Sequence, residues 1–436
     1  MSSSAKEPVS AKSSASRNRQ VPGLSSSIRF DNTRTIDLDV NKLLLALSAL
    51  MYERDSAKYR AAMEPTSTDS ARPLMIKKGA ATLAGPPQPS AESLLSECDS
   101  GIERIAWQCF GLRYKSVTEL KPRHRQSRSN PVAGLFYSPT KPDFIVLAFK
   151  GTTPTDFAEW VTNFRYGYED ANEWLGEGYG RVHQGFYSAL YPLQGEEGLR
   201  GGITPYEHIR RGIVSTGAAL RSINGGRPVN VFVTGHSLGS ALASMFYARA
   251  VQRPDDFTTP DIREQVAVIR DIYAYGVPIF GDPHSLGAFN YAINQTAISE
   301  GPNRRMAWRI NNNRDAVATF LPDLGDTRKL GSKLSVNNQF NFAHVGQQVQ
   351  INADRTETGP GTLLVSNTPV RVHSDSHCAI PLHVNATLVQ AQNIPLLGRV
   401  LAHSPLLYAE RLNRVQETPV GASLPWAKQS TWDRLW

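Results

Sequence analysis

The sequence predicts an α/β fold with a mostly parallel central sheet covered by helices on both faces, and three observations predict it. From about residue 132 onward, apolar β-branched runs alternate with segments of helical periodicity. One run, "PVNVFVTG" (228–235), is apolar almost throughout, as a strand buried on both faces requires. It breaks at a glycine and continues at once as a helix crowded with small residues, "SLGSALASMFYARAV" (237–251).

Taken in order, residues 1–33 are dominated by Ser with scattered Lys and Arg, and read as a disordered basic tail. "DLDVNKLLLALSALMYERDSAKYRAAM" (37–63) has apolar residues at helical spacing, with Asp39 or Asn41 as cap. Residues 64–90 are rich in Pro, Gly, Ser and Thr and read as a loop insertion. A second helix is expected over Ala91 to Cys98. "VAGLFYS" (132–138) and "DFIVLAFKG" (143–151) are strand-like runs separated by the turn signal "PTKP". An amphipathic helix follows at 206–223, and further strands are expected at 266–281 and 306–313. No internal repeat is seen. The expected organisation is one domain over 34–405, with a carboxyl-terminal extension over 406–436.

Hydrophobic residues make up 40% and charged residues 20%, which suits a packed body and excludes a disordered chain. The longest apolar run, "KLLLALSALMY" (42–52), is too short to span a bilayer. No Sec-type signal peptide is visible. Cys98, Cys109 and Cys378 are too few for a disulfide framework. A cytoplasmic or non-classically exported protein is therefore expected over a Sec-secreted one, with the compartment itself unknown. The net charge is +8, but apart from "KPRHRQSR" (121–128) the basic residues are spread along the chain. No zinc-ligand spacing or stacking motif accompanies that patch, so nucleic acid is not an expected partner.

The break at 235–239, "GHSLG", fits the G-x-S-x-G nucleophile elbow. A serine on a strained strand-to-helix corner has its hydroxyl pushed into the open. Glycines on either side remove clashes with neighbouring helix and strand. The helix starting at Leu238 aims unpaired backbone N–H groups at the same spot. Ser237 is thus the candidate nucleophile, and a serine alcohol needs a base that is itself held by an acid.

In the nucleophile–acid–histidine order of this motif's fold class, the acid follows a later strand. Asp315, after "WRINNN", fits better than Asp282, after "YGVPIFG". Three downstream histidines lie together in "RVHSDSHCAIPLHV": His373, His377 and His383. Pro381 makes a good first helical residue, which puts His377 on the loop ahead of a helix and favours it as the base. His344 reads as a structural strand residue.

With those residues in place, the chain resembles the class 3 (fungal-type) triacylglycerol lipase family of the α/β hydrolases. The resemblance is carried by "LALSALMYER", "IVLAFKGTT", "VHQGFYSAL", "GHSLG", "YGVPIFGD", "INNNRDAVATFLP" and "FAHVGQQVQI", in that order. It implies that the backbone N–H groups of Thr152 and Leu238 form the oxyanion hole. It also implies a lid after Thr153, where Phe157, Trp160 and Phe164 share one helical face. Lys150 departs from the family, which commonly has arginine there.

The expected function is hydrolysis of glycerolipid acyl esters by a Ser237–His377–Asp315 triad through an acyl-enzyme, with no metal or cofactor. A lipid ester is the expected partner, with transient contact at a membrane or lipid-droplet surface and no obligate protein partner. Phospholipase A1-type activity and a non-catalytic lipase-like scaffold are the alternatives.

Overall fold

The computed structural model describes residues 35–63, 90–120, 132–151, 167–192, 203–259, 264–300, 305–312, 315–319, 344–352, 362–365, 371–373 and 397–415. The amino-terminal part holds β1 (Thr35–Asp37), α1 (Leu38–Leu50), α2 (Ser56–Met63), α3 (Ala91–Cys98), α4 (Ser100–Ile105), β2 (Arg113–Glu119), β3 (Val132–Ser138) and β4 (Lys141–Phe149). The middle holds β5 (Tyr168–Asp170), α5 (Asn172–Leu175), β6 (Arg181–His183), α6 (Gln184–Leu190), α7 (Pro205–Ile223), β7 (Val229–His236) and α8 (Leu238–Gln252). After these come β8 (Ala267–Tyr275), α9 (Pro283–Glu300), β9 (Ala307–Asn312), α10 (Ala316–Thr319) and β10 (Gln347–Asn352). The chain closes with β11 (Thr362–Val365), β12 (Arg371–His373), α11 (Leu397–Leu401) and α12 (Pro405–Arg414).

Eight of the described strands form one sheet in the order β11-β10-β9-β8-β7-β4-β3-β2. β4, β7, β8, β9 and β10 run parallel, and antiparallel pairs flank them at both edges. Alternate side chains of these strands enter two separate cores, which is what a sheet covered on both faces demands. Leu147, Phe149, Val231, Val233 and Ile272 pack with Ile209, Ile213, Leu242 and Phe246 of α7 and α8. On the opposite face Val146, Ala148, Phe232, Tyr273, Trp308 and Ile310 pack with Leu44, Leu47, Tyr408 and Leu412 of α1 and α12.

Local signals fix the helix starts. Thr204 accepts from the Glu207 N–H at 3.2 Å and Pro205 takes the first turn of α7, where a missing N–H does no harm. α1 begins earlier than expected: Asp37, not Asp39 or Asn41, caps it by accepting from the Asp39 and Val40 N–H groups at 2.9 Å. The strand expected over 266–281 ends at Tyr275 because Gly276 turns the backbone to φ +58°.

Beyond 405, where the carboxyl-terminal extension was expected to begin, Tyr408, Ala409 and Leu412 of α12 lie in the second core. The tail over 1–33, nearly all of the 64–90 insertion, the 121–128 patch and the end of the chain from 416 lie outside the described residues. No helix among the described residues is long and apolar enough to cross a membrane.

Candidate active site

β7 ends at His236 and α8 begins at Leu238, so a single residue makes the corner between them. Ser237 has φ +58° and ψ −133°, and is the only non-glycine residue with positive φ among the described residues. Such a backbone costs about 1–3 kcal/mol and persists where its surroundings fix it. Here the Ser237 N–H donates to the Tyr275 carbonyl and the Ser240 N–H to the Ser237 carbonyl, each at 2.9 Å. The flanking glycines are required by contact. A Cβ on Gly235 would lie 2.8 Å from Ser240 N, and one on Gly239 would lie 2.9 Å from Gly151 N. Leu238 is the first residue of α8, so its N–H has no helical carbonyl one turn earlier to donate to.

The end of β4 closes against this corner. A Cβ on Gly151 would lie 3.3 Å from Ser237 Cβ and 2.5 Å from the His236 carbonyl oxygen. Ser237 itself is 2% exposed, and its hydroxyl has no hydrogen-bond partner among the described residues.

Beyond the end of β9, Asp315 is fully buried and fully engaged. Its Oδ1 accepts from the N–H groups of Val317 at 2.8 Å and Ala318 at 3.2 Å. Tyr408 donates its hydroxyl to Oδ2 at 2.5 Å. His403 Nδ1 lies 3.0 Å from Oδ1 and 2.9 Å from Oδ2. Burial pushes the carboxyl pKa up. The His403 ring and the donors from His403, Tyr408 and Ala318 more than offset that, so it falls below the usual carboxylate value. An ionised carboxylate only accepts, so His403 Nδ1 carries the hydrogen and Nε2 is the ring nitrogen left to exchange a proton. Gly276 makes room for the pair, since a Cβ there would lie 2.8 Å from His403 Cε1 and 2.9 Å from Asp315 Oδ2.

The imidazole of His403 lies beside the elbow. Its ring centroid is 4.6 Å from that of His236, the residue before Ser237, and the His403 carbonyl accepts from His236 Nε2 at 2.7 Å. Burial, with the nearby His403 ring adding to it, pulls the His236 pKa to about 3, so His236 is neutral.

Set against the sequence expectations, Ser237, Leu238 and Asp315 sit in this cluster, while Asp282 serves another purpose. It begins α9, where its Oδ1 accepts from the Ser285 N–H at 2.9 Å, and it pairs with Arg181 at 3.7 Å. The histidine beside Asp315 is His403, which sequence reasoning missed. His377 and His383 lie outside the described residues, and His373 belongs to β12, paired with β1. Thr152, Phe157, Trp160 and Phe164 also lie outside them. His344 is buried ahead of β10. A signal for His403 existed in "HSPLLYAERL": Ser404 accepts from the Leu406 N–H, and Pro405 opens α12. This is the helix-start pattern that favoured His377 ahead of Pro381.

The lipase (class 3) family model matches residues 146–324, a span that includes Ser237 and Asp315 and stops short of His403. No curated protein matches the chain. Among solved structures, the native lipase–propeptide complex of Rhizomucor miehei is similar at 19% identity and a TM-score of 0.38, over 63% of this chain and 68% of that one. Lipase II from Rhizopus niveus matches at 19% identity and 0.35, over 58% and 71%. A lipase from Rhizopus microsporus var. chinensis matches at 16% and 0.35, over 62% and 69%.

Proposed function

We propose that this chain, whose residues 146–324 match the lipase (class 3) family model, is a carboxylic ester hydrolase that cleaves glycerolipid acyl esters with Ser237 as nucleophile, His403 as base and Asp315 as the orienting acid. The observation that carries the assignment is His403 Nδ1 on both Asp315 oxygens, with the ring beside the elbow.

Ser237 Oγ attacks the ester carbonyl while His403 Nε2 takes its proton, and the ionised Asp315 stabilises the imidazolium that forms. The new oxyanion is held by the Leu238 N–H and the Thr152 N–H. Donors fixed where charge develops are worth roughly a hundredfold or more in rate each. Collapse expels the alcohol, protonated by His403, and leaves an acyl-Ser237. Water activated by the same nitrogen then releases the fatty acid and restores the serine. Phe157, Trp160 and Phe164 form a lid over the acyl site in this reading.

The test is hydrolysis of a p-nitrophenyl ester by Ser237→Ala, His403→Ala and His377→Ala. The first two lose about 10⁴-fold or more in kcat, as expected when one member of a triad is removed. His377→Ala retains activity near wild type. An inactive His377→Ala beside an active His403→Ala would sink the assignment of the base.

A further inference from the structure

We infer that His236 and Asn312 are positioning residues: from the ends of two sheet strands they hold the consecutive peptide carbonyls that carry His403, with Tyr52 fixing the tautomer of His236. The inference rests on His403 being the base.

The turn that bears His403 joins α11 to α12, and its own hydrogen bonds are local, such as Ser404 N–H to Leu401 O at 2.8 Å. Two buried side chains tie it to the sheet. Asn312, at the end of β9, donates Nδ2–H to the Ala402 carbonyl at 2.7 Å. His236, at the end of β7, reaches the His403 carbonyl through Nε2 at 2.7 Å. A carbonyl only accepts, so His236 Nε2 carries the hydrogen and Nδ1 holds the lone pair. Tyr52 Oη lies 2.9 Å from that Nδ1 and therefore donates to it. The other tautomer would set a lone pair against the His403 carbonyl and leave the Tyr52 hydroxyl without its acceptor.

The placement is what gives these bonds a role beyond filling the core. β7 ends at the nucleophile and β9 leads to the acid, so both anchors register the base against its two partners. The Tyr52 hydroxyl also packs against Gly151, which follows β4 and abuts the elbow. A misplacement of about 1 Å at a reacting group can lower a rate about a hundredfold.

The test compares His236→Ala, His236→Gln, Asn312→Ala, Asn312→Asp and Tyr52→Phe on a monomeric p-nitrophenyl ester, with Tm measured for each. Ser237→Ala and His403→Ala run alongside. Asn312→Asp keeps the shape but removes the donor, and His236→Gln keeps a donor on a similar reach. Folded His236→Ala and Asn312→Asp lose about ten- to hundredfold in kcat with KM changed less than about threefold. His236→Gln recovers most of its loss, and Tyr52→Phe shows a smaller drop of the same kind. Should His236→Ala or Asn312→Ala fail to fold, His236→Gln and Tyr52→Phe carry the comparison. Wild-type kcat in folded Asn312→Asp and Tyr52→Phe overturns the inference, as does a loss that follows Tm and is no smaller in His236→Gln than in His236→Ala. Activity surviving in Ser237→Ala or His403→Ala overturns the triad instead.

Discussion

Tyr408 donates its hydroxyl to Asp315 Oδ2 at 2.5 Å, and His403 Nδ1 lies 2.9 Å from the same oxygen. One carboxylate oxygen thus joins His403 to α12, a helix that packs beside α1 on the same face of the sheet. Tyr408→Phe keeps the buried ring and removes only this donor. A hydrogen bond to a buried charge contributes about 1.5–3 kcal/mol, so urea unfolding should show a loss in that range. The hydroxyl is also one of the groups holding the Asp315 carboxyl below its ordinary pKa. Its removal should raise that pKa and move the acid limb of the kcat–pH profile upward. A profile and stability both matching wild type would mean the bond does nothing in solution.

Gly239 is pressed against the end of β4 from the first turn of α8. The backbone atoms of Lys150 and Gly151 occupy the space a methyl group would need. Gly239→Ala must therefore push the elbow and the end of β4 apart, and overpacking of this kind typically costs about 1–3 kcal/mol. Activity should fall by more than the loss of folded protein explains, because the displaced turn carries the Ser237 corner and the Leu238 N–H. The comparison is fluorophosphonate labelling of Ser237 in the soluble folded fraction. Labelling at the wild-type rate would refute the strain argument.

The parallel strands and the elbow were legible because their signals are local. β4, β7 and β8 are buried on both sides of their carboxyl-terminal halves, and so read as apolar runs. The elbow declares itself in five consecutive residues whose small size is demanded by contacts within the same turn. Asp315 was legible as the acidic residue just past a strand. His403 was not, because its meaning depends on a partner 88 residues away, and no periodicity encodes that distance. The edge strand β2, "RYKSVTE", escaped because polar edges carry little hydrophobic signal. α12 was set apart with the tail that follows it, although Tyr408, Ala409 and Leu412 are spaced as one buried face.

Stability should fall on mild acidification, and buried histidines set the window. Burial pulls both His236 and His183 to about 3. The unfolded chain binds protons at these sites from about pH 6.5, the ordinary histidine value, while the folded chain binds them only near 3. Between those limits the unfolded state holds more protons, so stability declines as pH falls, by at most about 1.4 kcal/mol per unit for each histidine. Above about 6.5 the term vanishes. His183 caps α6 by accepting the Gly185 N–H at 3.1 Å, a bond an asparagine can also make. His183→Asn should therefore flatten Tm against pH between about 4.5 and 6.5 while leaving Tm near pH 8 little changed. An unchanged slope would show that His183 is already protonated in the fold.

Ser237 is 2% exposed, and a glycerolipid ester cannot reach a hydroxyl so enclosed. If its cover is the amphipathic lid expected over Phe157, Trp160 and Phe164, an apolar surface opens it by burying that aromatic face. Turnover of a sparingly soluble ester should then climb steeply once its concentration passes the solubility limit and an interface forms. Replacing Trp160 by Ser should flatten that rise while sparing hydrolysis of a small monomeric ester, since Trp160 takes no part in the chemistry. A smooth hyperbola through the solubility limit in the wild type would mean that the cover opens without an interface. An equal loss on both substrates in Trp160→Ser would mean that Trp160 belongs to the folded core and not to a gate.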